Sequence, residues 1–136
     1  MIVLDASVAV AASLPDEAEA ARPILLEYAA VHRFVVPSYW RIEVASALLS
    51  AERRKRLAAD RLEATVAVLD MLDIEPDEAA WDDAFVRLLP LARDQRLSVY
   101  DAGYLDLAMR LGLPLLTFDR ALARAADAQG VHVPLQ

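Results

Sequence analysis

Ile2-Val3-Leu4-Asp5-Ala6-Ser7 opens the chain with three consecutive apolar residues, two of them β-branched, that run directly into an acid. A short continuous apolar run of this kind reads as a strand buried on both faces, the condition of a strand inside a parallel sheet. The residue after such a strand emerges at its carboxyl end, the edge where ligand sites form in α/β proteins. Leu113-Pro114-Leu115-Leu116-Thr117-Phe118-Asp119 repeats the pattern near the other terminus, with Leu113 to Thr117 as the strand. Between the two, short hydrophobic runs alternate with longer helical patterns, the signature of an α/β domain with a parallel sheet.

Phe34-Val35-Val36 reads as a second strand, Ile74-Glu75 as a short edge strand, and Val131-His132-Val133 as a final short strand. Helices are expected over Ser7 to Leu14 and over Asp16 to Val31, the latter with acids in its first turn. Another starts at Pro37-Ser38 and runs to about Arg56, and a fourth, Ala58 to Leu72, aligns Leu62, Val66, Leu69 and Leu72 on one face. Asp77 caps a helix in which Trp81, Phe85 and Leu88 recur at i, i+4 and i+7 and which Pro90 kinks or splits. Ser98 or Asp101 opens the next, with Tyr100, Tyr104, Leu107 and Leu111 as its buried stripe and Gly112 as its stop. Arg120 to Gln129 forms the last helix. No repeat, linker or low-complexity segment interrupts the chain.

A length of 136 residues with 57% apolar composition is enough for one packed core, so a single domain over 1–136 is expected. The absence of cysteine excludes disulfides and thiolate metal sites and is compatible with a reducing cytoplasm. The first fourteen residues are apolar, yet they lack a basic region and carry Asp5 in their middle, which argues against a secretion signal. No apolar run approaches the ~20 residues that span a bilayer, so no membrane partner is expected. A net charge of −7 lowers the expectation of a polyanionic partner, an effect that bound divalent cations would offset locally.

Four acids, Asp5, Glu43, Asp101 and Asp119, lie in apolar or strand-and-turn sequence with Arg41 and Arg120 as the only adjacent basic residues. Burying one unpaired carboxylate costs several kcal/mol, and gathering four adds mutual repulsion. A cation is the simplest compensation; with oxygen donors, no Cys and two His, Mg²⁺ or Mn²⁺ suits the set better than zinc or iron. Taken singly, Asp101 and Asp119 could be helix caps and Glu43 could pair with a distant Arg. The four in this order and context point to one site.

The chain resembles the PIN domain, and most closely the VapC-type toxins of prokaryotic toxin–antitoxin pairs. The resemblance spans essentially the whole chain. It rests on Leu4-Asp5-Ala6-Ser7, on Pro37-Ser38-Tyr39-Trp40-Arg41-Ile42-Glu43-Val44-Ala45, on Tyr100-Asp101-Ala102, and on Leu115-Leu116-Thr117-Phe118-Asp119-Arg120-Ala121-Leu122. It implies a three-layer domain with a central, mainly parallel sheet flanked by helices. It also implies a ribonuclease in which Asp5, Glu43, Asp101 and Asp119 are the catalytic acids and bind one or two Mg²⁺ or Mn²⁺ ions. Ser7 and Thr117 match small hydroxyl residues that line the site. RNA as substrate, a VapB-like antitoxin protein as partner and a homodimeric assembly are further implications.

Arg53-Arg54-Lys55-Arg56 is the only basic run, and reads either as a solvated helix end complementing the dipole or as a patch that contacts RNA phosphates. Asp106 is expected to form an exposed helical ion pair with Arg110, four residues on. Trp40 is expected in the core, and His32 and His132 have no catalytic context. Three other readings use the same residues: an RNA-processing nuclease outside a toxin pair, an acidic-pocket phosphohydrolase or phosphoacceptor, and a non-catalytic module with a similar fold. Ser7 stands where a phosphohydrolase of the haloacid-dehalogenase kind would place a second Asp, and the sole Lys, Lys55, is far from any strand end.

Overall fold

The computed structural model describes residues 1–135. Four parallel strands form one sheet in the order β3-β2-β1-β4, where β1 is Ile2–Leu4, β2 Phe34–Pro37, β3 Ile74–Asp77 and β4 Leu115–Leu116. β1 lies between β2 and β4 and is no more than 1% exposed along its length, as its unbroken apolar run requires. β3 is an edge strand, half-exposed, and holds Pro76 where a missing N–H is tolerated.

The helices are α1 (Ala6–Ser13), α2 (Ala18–Val31), α3 (Trp40–Arg53), α4 (Leu62–Leu69), α5 (Ala79–Asp83), α6 (Leu89–Gln95), α7 (Val99–Leu111) and α8 (Arg120–Ala128). The chain steps from β1 outward to β2 and β3, then returns past both to place β4 on the other side of β1. α1 packs on α2 and α3, while α6 packs on α7, which lies against β1, β2 and β4; right-handed crossovers taken in opposite directions assign the two groups to opposite faces of the sheet. The reversal falls between β1 and β4, whose registers match Val3 with Leu115 and Leu4 with Leu116. At such a reversal the crossovers diverge and leave a crevice beyond the carboxyl ends of the strands. The α/β class and helix-flanked parallel sheet expected from the sequence are thus found.

Several boundaries and faces differ from expectation. Val131–Val133 forms no strand: one bond, Leu115 N–H to the His132 carbonyl at 2.9 Å, joins it to β4. β4 is accordingly only two residues long. α3 ends at Arg53 because Lys55 takes a left-handed conformation (φ 60°), and a 3₁₀ turn over Ala59–Arg61 separates it from α4.

Asp77, expected to cap the following helix, ends β3 instead: Glu78 holds the cap position, and the Asp77 carboxylate accepts the N–H of Ala79, the first helical residue, at 3.0 Å. There the periodicity misleads: Leu88 is buried, but Trp81 and Phe85 are 86% and 85% exposed. Ala84–Leu88 is a π-helix, whose wider turn shifts the phase of the face. Pro90, which lacks an N–H, stands in the first turn of the new helix α6. In α7, Tyr104 and Leu107 are buried as expected, whereas Tyr100 and Leu111 are exposed. The buried run Ala102–Ala108 shows α7 embedded on most sides, packed against β1, β2 and β4. Gly112 ends it with φ 64°.

Candidate active site

Asp5 leaves β1 at the reversal and is 3% exposed; its backbone N–H donates to the Leu116 carbonyl of β4 at 3.0 Å. Two hydroxyls converge on its Oδ2, Ser7 Oγ at 2.5 Å and Thr117 Oγ1 at 2.7 Å. The same hydroxyls accept backbone N–H groups from the turn after β4: Phe118 N–H donates across to Ser7 at 3.1 Å, and Asp119 N–H donates within its own turn to Thr117 at 3.0 Å. The turn after β1 and the turn after β4 are thereby fastened through one carboxylate. Both hydroxyl residues stand beside Asp5.

Asp119 caps α8, accepting the Leu122 N–H at 2.8 Å. α8 therefore fixes its carboxylate at the mouth of the site, so capping and membership of the acid group coexist. Asp101 is not the cap of α7; Ser98 is, its hydroxyl accepting the Asp101 N–H at 3.0 Å. Asp101 lies in the first turn, half-buried. Glu43 lies in the first turn of α3, half-buried, with the fully buried Tyr104 hydroxyl donating to its Oε1 at 2.5 Å. α3 buries only one stripe, Trp40, Val44, Leu48 and Ala51, while Ile42 and Leu49 are exposed, so its apolar sequence does not make it an interior helix. Trp40 is in the core, as expected.

The acids share one electrostatic environment. Burial pushes Asp5 up to about 6 against its two hydroxyl donors, with the charges of Glu43 and Asp119 adding to the rise. Asp101 is also pushed up to about 6, by burial first and then by Asp5 and Asp119. Glu43 is raised by burial and by Asp101, with the Tyr104 bond opposing. Among the described residues no Arg or Lys pairs with any of the four. Arg41, adjacent to Glu43, turns outward to Asp70 at 3.4 Å.

Among the described residues, no three Asp, Glu or His side chains stand close enough to enclose one ion as they are placed. The donor chemistry nevertheless fits a hard cation: carboxylate and hydroxyl oxygens, unneutralised by any basic group.

Tyr39 and Tyr104 also belong to the site, although the sequence assigns Tyr39 no role and places Tyr104 in a core stripe. Burial raises the pKa of both phenols, and Glu43 raises them further, so both hydroxyls remain protonated donors. Their signal is helical spacing: Tyr39 precedes Glu43 by four residues and Tyr104 follows Asp101 by three.

A groove of about 950 Å³ opens from Ser7, Phe118 and Asp119 and passes Val10, Leu14 and Ile24 to Arg56. Arg56 is held by Asp16 at 3.1 Å and Glu17 at 2.8 Å, which neutralises one member of the basic run. Arg53, Arg54 and Lys55 are exposed. Asp106, expected at the surface, is 5% exposed and braced by Arg110 at 2.8 Å and Arg87 at 2.6 Å. Arg110 reaches on to Asp77 at 2.9 Å. This network keeps Asp106 apart from the four acids.

The PIN domain family model matches residues 2–128. The chain belongs to the PIN domain family. It is 33% identical over 132 residues to Ribonuclease VapC3 of Pyrobaculum aerophilum, covering 93% of this chain and 95% of that protein. The crystal structure of PAE2754 from the same organism superposes with a TM-score of 0.70 at 22% identity, covering 97% of this chain and 89% of the other. The PIN fold thus extends over nearly all of the described residues, with Asp5, Asp101 and Asp119 at the carboxyl edge that the strand order prepares.

Proposed function

We propose that this PIN domain is an endoribonuclease that hydrolyses RNA phosphodiesters with Mg²⁺ or Mn²⁺, acting as the toxin of a toxin–antitoxin pair. The observation that carries the reading is the set of carboxylates gathered at the β1/β4 reversal, with Asp5, Glu43 and Asp101 raised in pKa and no basic residue to neutralise the group. Such a set is costly in an apo protein and becomes favourable beside a cation. Asp5, Glu43, Asp101 and Asp119 would hold the ion or ions. When bound, a divalent ion supplies charge stabilisation for the phosphodiester oxygens and makes a water molecule acidic near neutral pH.

The protein's own residues contribute order. Ser7 and Thr117 fix the Asp5 carboxylate by donating to one of its oxygens, and the α8 N-terminus fixes Asp119. A carboxylate of the group accepts the proton of the attacking water. The apolar groove beside Asp119 suits a restraining segment of an antitoxin protein. Trp81 and Phe85, one helical turn apart in sequence and both largely exposed, support assembly as a homodimer. Among the described residues no helix is long and apolar enough to cross a membrane, and we place the protein in the cytoplasm.

The test is cleavage of total RNA by purified protein with Mg²⁺ or Mn²⁺, with EDTA, and with Asp5→Asn. Loss of cleavage under both treatments, in a folded variant, is the expected result. Wild-type protein that neither cleaves RNA nor binds a divalent ion overturns the reading.

A further inference from the structure

α3 and α7 are joined at the acids by two tyrosine hydrogen bonds that run in opposite directions. Tyr39, at the N-terminal boundary of α3, donates to the backbone carbonyl of Tyr100, the residue before Asp101, at 2.6 Å. Tyr104, one turn into α7, donates back to Oε1 of Glu43 at 2.5 Å. Each helix therefore holds the part of the other that carries an acid. The rings lock edge to face, Tyr39 with Tyr104 at 6.0 Å and 89° and Tyr39 with Tyr100 at 5.3 Å and 80°. Gly103 makes room for the arrangement: a Cβ at that position would run into the Tyr39 hydroxyl. A phenylalanine would fill the space of either ring, so packing alone does not explain why both carry hydroxyls aimed across the α3–α7 seam.

We propose that Tyr39 and Tyr104 are positioning residues, a reciprocal pair that sets the rotamer of Glu43 and the placement of Asp101, the two helix-borne acids that would hold a divalent ion. The inference rests on the metal-dependent reading given above. Outer partners that orient metal-ligating carboxylates are worth about 10–100-fold in metal affinity when removed. Tyr104 acts on the side chain of Glu43 directly; Tyr39 acts through the backbone at the start of α7.

Purified wild type, Tyr104→Phe, Tyr39→Phe and Asp5→Asn are titrated with Mn²⁺, following free Mn²⁺ by electron paramagnetic resonance, alongside melting curves and RNA-cleavage kinetics. Each tyrosine variant is expected to bind Mn²⁺ about tenfold more weakly, in keeping with the loss of an orienting partner. Its cleavage rate should recover as Mn²⁺ is raised, with KM for RNA within about twofold of wild type. Wild-type Mn²⁺ affinity in a folded tyrosine variant, even one with a lowered melting temperature, would show that the hydroxyls serve packing only and overturns the proposal. If Tyr104→Phe does not fold, Tyr39→Phe decides by the same criterion. Wild type that binds no Mn²⁺ defeats the metal reading itself. Binding by wild type that Asp5→Asn removes leaves that reading standing, and the tyrosines are then judged alone.

Discussion

Burial and two hydroxyl donors act on Asp5 in opposite directions, and burial dominates, lifting the carboxyl to about 6. Because this value lies above the usual 3.8, the folded state binds more protons than the unfolded chain between those two pH values. Stability from this group is therefore full below about pH 4 and falls as pH rises through about 6, by roughly 3 kcal/mol. Asp5→Asn removes the charge while its amide oxygen can still accept from Ser7 and Thr117. In EDTA the variant should melt above wild type at pH 7.5, by several degrees, and close to it at pH 4. Coincident melting curves at pH 7.5 would show that ionised Asp5 carries no burial penalty. The place of Asp5 is legible in the sequence because a buried apolar strand that runs straight into an acid delivers that acid to the carboxyl edge of the sheet. Asp106 is not legible in the same way: its i+4 partner Arg110 looks like an ordinary surface pair. It is buried because α7 is embedded on most sides, and it gains Arg87, 19 residues earlier, a contact made only by tertiary packing.

At the scale of elements, the four strands and most helix starts are readable to within about two residues because punctuation by Pro, Gly and acids is local, whereas Val131–Val133 reads as a strand that it does not form. Faces are less readable. A periodic stripe assumes 3.6 residues per turn, and the π-helix at Ala84–Leu88 breaks that count, leaving Trp81 and Phe85 in solvent. The π segment is held to α7 by Arg87 on Asp106, and α7 to the end of β3 by Arg110 on Asp77. Asp106→Ala would leave two arginines without their shared partner. It should cost about 2 kcal/mol in urea denaturation, below the ~3–5 for a fully buried pair because Arg87 reaches solvent. The loss should appear without change in Mn²⁺ affinity, since Asp106 stands apart from the four acids. A Mn²⁺ affinity that falls with it would instead make Asp106 part of the site. The tyrosine bonds between α3 and α7 are invisible in the sequence for a related reason: Tyr39 and Tyr100 are 61 residues apart, and sequence spacing cannot show that two helix starts meet.

The whole molecule carries a net charge of −7, an unfavourable balance for a protein that meets RNA, so its cationic residues must be concentrated where they count. The strand order explains why Asp5 and Asp119 share one edge, because the only reversal among the described strands lies between β1 and β4. It says nothing of where the nucleic acid backbone runs. The basic turn that follows α3 offers three exposed charges, Arg53, Arg54 and Lys55, while Arg56 is committed to Asp16 and Glu17 at the far end of the groove from Asp119. If RNA leaves the acids and continues past Arg56, its phosphates meet those three residues, which lie outside the groove lining. Each contact to a single strand contributes about 0.7 to the dependence of log affinity on log salt. Changing Arg53, Arg54 and Lys55 together to Glu, on an Asp5→Asn background that does not cleave, should therefore flatten that slope by about 2. Fluorescence anisotropy of a labelled single-stranded RNA over a series of KCl concentrations measures it. An unchanged slope would assign the run to the other role read from the sequence, a solvated helix end whose charges complement the α3 dipole, and would route the RNA over a different face.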